Sequence, residues 1–217
     1  MKDNRKLIYD LFGGTGAWSQ FYYQDSKKYR VIIVDPRAQR SPEDRRETIQ
    51  EFHDRLREVG LPPDLMRPYG ILAAFPCKQF AGSGSRWWKE KDERKPWLIE
   101  GAIDNVVRMM DCVRILRPTQ FFCAENPVGR APRLLKKTLG PWVMTFDPCD
   151  YGGWLEPSGD AYTKKTCLYG WFNPPKKKRV EPIEGSKLHR LPPSPDREFL
   201  RSITPSGFAR AFYEANQ

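Results

Sequence analysis

Phe75-Pro76-Cys77-Lys78-Gln79-Phe80-Ala81-Gly82-Ser83-Gly84 follows the apolar run Tyr69-Gly70-Ile71-Leu72-Ala73-Ala74 and precedes Arg86-Trp87-Trp88. The apolar run is too short for a helix of ordinary length and predicts a buried strand. Cys77 then falls on the loop at the strand's C-terminal end, where open α/β sheets place their chemistry. A cysteine thiolate is a strong nucleophile near neutral pH, and its reactivity depends on neighbours that lower its pKa. Taken alone, Pro-Cys fits equally a small apolar side chain filling a gap beside a turn. Other stretches must supply what a nucleophile needs.

Upstream, Lys6-Leu7-Ile8-Tyr9-Asp10-Leu11-Phe12 reads as a first strand, followed by Gly13-Gly14-Thr15-Gly16-Ala17 and a helix opening over Trp18 to Tyr23. Glycines permit a tight turn and close approach of a ligand to the backbone, and a following helix start offers unpaired N–H groups. The next strand, Tyr29 to Val34, ends at Asp35. An acidic residue at a second strand tip, roughly 20 residues after such glycines, is placed to accept hydrogen bonds from ribose hydroxyls. Together these features predict a nucleotide-like cofactor. Ser41-Pro42-Glu43-Asp44 predicts a helix start, with Ile49, Phe52, Leu56 and Val59 at helical spacing and a stop at Gly60 and Pro62-Pro63. His53 has no partner cluster and reads as a surface or edge residue of that helix rather than a ligand.

Downstream, residues 82–95 read as a long loop where a substrate lid can sit, with Trp87 and Trp88 either closing over a flat ligand or docked as a pair. Trp97 to Leu116 predicts an amphipathic helix ended by Pro118, and Phe121 to Ala124 a second short buried strand. At its tip stand Glu125 and Asn126, on the same edge as Cys77 if the two strands are parallel. A short basic helix over Arg130 to Leu139, a strand over Trp142 to Phe146, a returning strand from Lys164 to Gly170 and a final helix from Pro205 to Ala215 complete the pattern. No internal repeat and no second core are visible. The predicted fold class is α/β: a single mostly parallel sheet flanked by helices, with Cys77 and Glu125 on its C-terminal rim.

The 217 residues carry 37 basic against 27 acidic side chains, a formal net charge of +10. That excess favours a polyanionic partner, nucleic acid before others, and the densest basic run, Lys176-Lys177-Lys178-Arg179, is expected to contact phosphate. No run approaches a membrane span, and Met1 to Lys6 leads into a strand rather than a signal-peptide core, which predicts a protein that is not secreted, has no membrane partner and works inside a cell, in the cytoplasm or within a host. Five cysteines without a close pair and two histidines predict neither a disulfide framework nor a metal site.

With these residues in view, Asp10-Leu11-Phe12-Gly13-Gly14-Thr15-Gly16 resembles the first cofactor loop of the DNA cytosine-5 methyltransferases. Phe75 to Phe80 resembles their nucleophile loop, Glu125-Asn126 the acidic pair of their base-recognition motif, and Pro205 to Asn216 their terminal helix. Order and separation match from about residue 6 to 170 and again over the last dozen residues. The resemblance implies a Rossmann-like fold binding S-adenosyl-L-methionine (SAM), with Asp10, Phe12, Gly13, Gly14, Gly16 and Pro76 around the cofactor and Asp35 on its ribose. It implies that Cys77 adds to cytosine C6, that Glu125 contacts N3 and the exocyclic amine, and that Lys165 replaces the family's late arginine. Asn126, Lys164, Thr166 and Gly84 fall beside the substrate, Asn126 shaping the turn rather than moving a proton.

This sequence departs from the family pattern at three places. Pro127 stands where the family has valine, and no clear acidic residue stands at the third strand's tip to meet the adenine amine, Asp64 being a weak candidate. A basic, proline-rich segment at about 173–200 stands where the family carries a large target-recognition domain. The chain therefore resembles a small family member, and a specificity-providing protein partner enters as an expectation. DNA is the expected substrate; RNA, a free cytosine nucleotide, or a non-catalytic binding role stay open. Asn173-Pro174-Pro175 is similar to an amine-binding motif of amino-methyltransferases, but it comes late and lacks an aromatic residue after Pro175.

Overall fold

The computed structural model describes residues 3–217. Alternation along the first strand sets the layers. In β1 (Lys6–Leu11), Leu7, Tyr9 and Leu11 face one side, while Ile8 faces the other; all are buried. A strand buried on both faces belongs inside a parallel sheet covered by helices. With β2 (Tyr29–Val34), β3 (Gly70–Ala73), β4 (Phe121–Pro127), β5 (Met144–Phe146) and β6 (Thr166–Trp171), it forms a six-stranded sheet in the order β2-β1-β3-β4-β6-β5. The first four strands are parallel, and β6 runs antiparallel to both β4 and β5. This is the mostly parallel α/β class that the strand pattern predicts, in the Rossmann-like form that the resemblance implies.

The helices in chain order are α1 (Gln20–Gln24), α2 (Ile49–Glu58), α3 (Trp88–Arg94), α4 (Trp97–Leu116), the short turns α5 (Ala131–Leu134) and α6 (Lys136–Leu139), α7 (Arg197–Ser202) and α8 (Ser206–Ala215). From β1 the chain steps outward to β2, then returns past β1 to β3. Because such crossovers share one hand, this reversal sends successive helices to opposite faces. Phe52 and Leu56 of α2 and Val106, Met109 and Val113 of α4 pack on the Tyr9 face. Trp18 and Tyr22 at α1 meet Phe208 and Phe212 of α8 on the Ile8 face. Phe208 stacks on Phe146 with ring centroids 4.0 Å apart, and Trp18 lies 5.8 and 5.6 Å from Phe208 and Phe212. Each such buried ring contributes about 1.5–3 kcal/mol over an exposed one.

Where the chain differs from the sequence reading, the reasons are local. The helix expected from Ser41 begins at Ile49, because Thr48 and Glu51 form the reciprocal cap. The Asp44 carboxylate instead accepts from the N–H groups of Ile33, Arg40 and Ser41, tying this stretch to the outer edge of β2. Val59 is exposed, while His53 is buried between α2 and α4 with Asp54 2.9 Å from its Nδ1. Residues 82–94 are helical turns rather than a loose loop. Asp64 is taken by Arg30 at 3.0 Å on the opposite side of β2's register from the glycine turn. No helix among the described residues is long and apolar enough to cross a membrane.

Candidate active site

The reversal of strand order lies between β1 and β3, and in open α/β sheets ligands bind outside the carboxyl ends of the strands at such a point. Here a cleft of about 1090 Å³ opens, walled by the glycine turn after β1, the Cys77 loop after β3, Glu125 on β4 and residues from the 188–204 segment.

The turn after β1 is held in an uncommon backbone shape. Phe12 has φ 57°, Gly14 φ 54° and Gly16 φ 70°. Left-handed geometry at a phenylalanine is costly and persists only where the surroundings impose it. A side chain at Gly13 would place its Cβ 2.6 Å from Asp10 Cγ, so the turn folds directly over that carboxyl group. Asp10 is fully buried; the Ser19 hydroxyl donates to its Oδ2 at 2.6 Å, and Oδ1 has no partner. Burial raises the Asp10 pKa to about 7 against the opposing hydrogen bond from Ser19. Trp18 also lines the cleft with a buried, unpartnered Nε1. At the tip of β2, Asp35 is buried and accepts from Arg37 N at 2.8 Å and Arg37 Nε at 3.1 Å. The Arg37 guanidinium passes 3.5 Å from where a Cβ on Gly14 would stand, so it spans the turn.

The Cys77 loop is stitched to the β4 tip. Cys77 O accepts from Phe80 N and Ala81 N at 2.9 and 2.8 Å, curling the chain back immediately after the thiol. Asn126 Nδ2 donates to Phe75 O at 3.0 Å, and Gly82 N donates to Val128 O at 3.0 Å. Gly129 comes so close to this loop that a Cβ would lie 1.9 Å from Phe80 O, which excludes any other residue there. Arg130 completes the seam: Nε donates to Gln79 O at 2.7 Å, its guanidinium pairs with Asp92 of α3, and it lies 4.8 Å from the Trp88 ring centroid. Trp88 thus buttresses the loop from behind, and neither it nor Trp87 lines the cleft.

Cys77 is half-buried and Glu125 almost fully buried, both lining the cleft. Burial raises the Cys77 pKa; Glu125 raises it further, while Lys164 and Arg201 pull it down. Glu125 is likewise raised by burial and lowered by Lys164, and its Oε2 has no hydrogen-bond partner. One cation, Lys164, therefore acts on both groups.

Of the residues singled out in the sequence, Asp10, Phe12, Gly13, Gly14, Asp35, Pro76, Cys77, Gly84, Glu125, Lys164 and Lys165 share this cleft. Lys165 is exposed at its edge, Lys164 half-buried within it. Gly16 lies beneath the turn, its carbonyl accepting from Arg40 at 3.0 Å. Asn126 sits behind the loop it ties, and Thr166 is buried with its hydroxyl donating to Lys164 O at 2.9 Å. The basic run lies outside the cleft: Lys177 and Arg179 pair with Asp150 at 2.9 and 3.1 Å, and Lys178 lies over Trp154. Asn173 is likewise outside, bonded to Asn216 and Ala215. Trp18, Arg37, Arg197 and Arg201 are cleft residues that the motifs do not mark; only the position of Trp18 directly after the glycine turn hints at its place. Among the described residues no group of three His, Cys, Asp or Glu side chains is placed to hold a metal ion, and all five thiols are free.

No protein-family model matches this sequence, and no curated protein does. Among solved structures, the chain is similar to an Entamoeba histolytica methyltransferase, EhMeth, with 12% identity and TM-score 0.46 over 88% of this chain and 61% of that one. It is also similar to an antibiotic-related methyltransferase, with 12% identity and TM-score 0.40 over 76% of this chain and 87% of that one. A third is the 16S rRNA (adenine(1408)-N(1))-methyltransferase from Catenulisporales acidiphilia, with 12% identity and TM-score 0.36 over 82% and 89%. This chain spans less than two thirds of the Entamoeba protein's length. At these scores the functional reading rests on the geometry of the cleft.

Proposed function

We propose that this protein transfers a methyl group from SAM to C5 of cytosine in DNA, through a temporary bond between Cys77 and C6. The observation that carries the reading is the convergence of a thiol and a buried carboxyl group, from the ends of two adjacent parallel strands, on a cleft that begins at a glycine turn with an acidic residue at the next strand tip.

The cleft fits the cofactor. Asp10 Oδ1 and Trp18 Nε1 are buried polar atoms left without partners, and buried polar groups ordinarily have them. The glycine turn brings bare backbone to the ligand, and Asp35 is placed to hold ribose hydroxyls once Arg37 shares or yields its carboxylate. When bound, SAM supplies an electrophilic methyl group on sulfur. The protein's own task is to make a poor carbon nucleophile reactive. Cytosine C5 belongs to an aromatic ring, and addition of the Cys77 thiolate at C6 removes that aromaticity and concentrates electron density at C5. Glu125, held protonated more readily than an ordinary glutamate by its burial, donates to N3 and stabilises the charge that develops. Lys164 steadies the thiolate once the sulfur proton has passed to water in the cleft. Once C5 carries the methyl group, its proton passes to water in the cleft, the C5–C6 double bond re-forms and Cys77 leaves with the electron pair of the carbon–sulfur bond. Asn126, by fixing Phe75 O, sets where the thiol stands.

DNA as substrate is supported by the net charge of +10 and by a mechanism that needs a base out of its stack. The short segment at about 173–200 leaves the isolated chain with weak sequence discrimination, which a protein partner would supply. Methyl transfer from labelled SAM to duplex DNA, single-stranded DNA, RNA and dCMP in parallel, with nucleoside identification, tests the reading. Label in 5-methylcytosine from DNA is the expected result; label on another atom, or preferential transfer to RNA or dCMP, overturns the assignment of atom or substrate.

The cofactor half is tested separately. Asp35→Ala is expected to weaken SAM binding about tenfold or more, the worth of a hydrogen bond to a charged group, in a protein that keeps its fold but melts earlier for loss of the bonds from Arg37. Unaltered SAM affinity by calorimetry in the folded variant would remove Asp35 from the site.

A further inference from the structure

Most arginines of this protein near a carboxylate are engaged by one, as Arg30, Arg55, Arg108, Arg114 and Arg130 are. Three cations at the mouth of the cleft differ. Lys164 Nζ donates to Arg201 O at 3.0 Å, Arg201 Nη2 to Ser83 Oγ at 3.2 Å, and Arg197 Nη2 to His189 O at 3.1 Å. Every one of these acceptors is neutral, and among the described residues none of the three cations has a carboxylate within salt-bridge distance. Arg197 Nε is buried and has no partner at all. All three line the cleft that holds Cys77. The carboxylates that share the cleft do not pair with them: Glu198 of α7 is taken by Lys78 at 2.9 Å, and Glu125 acts on Lys164 only through space, its Oε2 without a hydrogen-bond partner. Cations lining one cleft with no ion pair of their own favour a bound anion.

Their position beside the nucleophile says which anion. C6 is the cytosine carbon on the sugar side of the ring, and in the usual anti conformation of a pyrimidine nucleotide it faces the 5′-phosphate. A thiol attacking C6 therefore has a phosphate for a neighbour. Arg201 and Lys164 are close enough to Cys77 to pull its pKa down. Arg201 also touches Ser83, six residues along the same loop as Cys77. Arginine's planar fork suits phosphate oxygens, and the Ser83 hydroxyl and Lys164 ammonium add donors on the same side.

We propose that α7 is the nucleotide-gripping element of this site: Arg201, with Arg197 and Lys164, binds the phosphate of the nucleotide whose base is presented to Cys77, so that the acceptor must be a nucleotide or polynucleotide and not a free base or nucleoside. This rests on the reading of Cys77 as the nucleophile for C6. It gives the 188–204 segment a task of its own, holding the backbone of one nucleotide, in the place where the resemblance leads one to expect a large recognition domain. The phosphate can belong to a free monoester or to a strand, and the chemistry of the grip is the same.

The test uses direct binding as well as turnover. Affinities of the whole protein for deoxycytidine, for dCMP and for a short single-stranded oligodeoxynucleotide with one cytosine are measured by calorimetry, for the wild type and for Arg201→Gln, Arg201→Lys and Arg197→Gln. Arg201→Gln is expected to weaken dCMP or oligonucleotide binding roughly tenfold or more, to leave deoxycytidine unaffected, and to raise KM more than it lowers kcat. Arg201→Lys should recover part of the loss. Dependence seen with dCMP assigns a monoester grip, and dependence seen only with the oligonucleotide assigns a phosphodiester in a strand. Unchanged affinity for both phosphate ligands in folded Arg201→Gln and Arg197→Gln overturns the proposal, even if 5-methylcytosine is formed. Arginine-dependent phosphate binding without any methylation of C5 leaves the grip standing and removes the proposed reaction. If Arg201→Gln does not fold, Arg197→Gln carries the measurement.

Discussion

DNA carrying 5-fluorocytosine at a target position is expected to become covalently attached to the wild-type protein in the presence of SAM, and Cys77→Ser is expected to lose that adduct and at least about a thousandfold of methyl transfer. Fluorine cannot leave C5 as a proton does, so the reaction halts with the carbon–sulfur bond intact. A serine hydroxyl at this position is a far weaker nucleophile, and Lys164 does not bring its pKa near neutrality. The thiol is only half-buried and packs into no core cluster, so the variant should keep its fold and its SAM affinity. Glu125→Gln is the companion measurement: the nucleophile remains, but an amide cannot give N3 a proton, and adduct formation should slow by about 10²–10³. Intact-mass analysis followed by peptide mapping locates the adduct. A Cys77→Ser protein that methylates C5 at a rate comparable to the wild type would exclude covalent catalysis by this residue.

The largest effect on stability is expected from Phe208→Ala. Phe208 is fully buried, stacked on Phe146 and packed against Trp18, Tyr151 and Phe212. Truncating such a ring removes its transfer free energy and leaves a cavity that rigid aromatic neighbours fill poorly, at a cost of about 3–5 kcal/mol. Whole-protein stabilities are about 5–15 kcal/mol, so the urea midpoint should fall by a large fraction with little change in slope. Trp18 joins this cluster and also lines the cleft, and SAM affinity should drop in the same variant. A loss below about 1 kcal/mol would mean that α8 is not the cover of this face.

How much of this could be read beforehand differs by element. The helix expected over Trp97 to Leu116 has those bounds in the structure, because twenty residues of apolar spacing leave little choice of period or register. The strands leading to Asp35, Cys77 and Glu125 were legible as short apolar runs, although β4 carries Glu125 and Asn126 inside it, paired with Leu168 and Cys167, where the sequence places them at its tip. Ser41-Pro42-Glu43-Asp44 misled because an acidic residue three places after a serine has the same spelling whether it caps a helix or ties a loop to a strand edge, as Asp44 does. Lys164 and Lys165 both reach the cleft, but their depth was not legible: Lys164 is half-buried within it and Lys165 exposed at its edge, a difference that only the folded register fixes. Arg197 and Arg201 were illegible, since α7 is a short, largely exposed turn of helix without apolar periodicity. Their role comes from where the chain is carried after Pro195, a matter of tertiary placement.

The closure of the Ile8 face by α8 bears on how the molecule is made. Phe121 of β4 packs against Phe212 with ring centroids 5.5 Å apart, yet ninety-odd residues of synthesis separate the two. At about 5–20 residues per second, a ribosome spends on the order of ten seconds between them. During that interval the parallel strands can pair and the Tyr9 face can close over α2 and α4, while Ile8, Leu72 and Phe121 wait for their cover. Until α8 emerges that face has only the rings already made, Tyr22 and Tyr69 at 6.0 and 6.1 Å from Phe121, so its closure is the last step of the sheet's assembly.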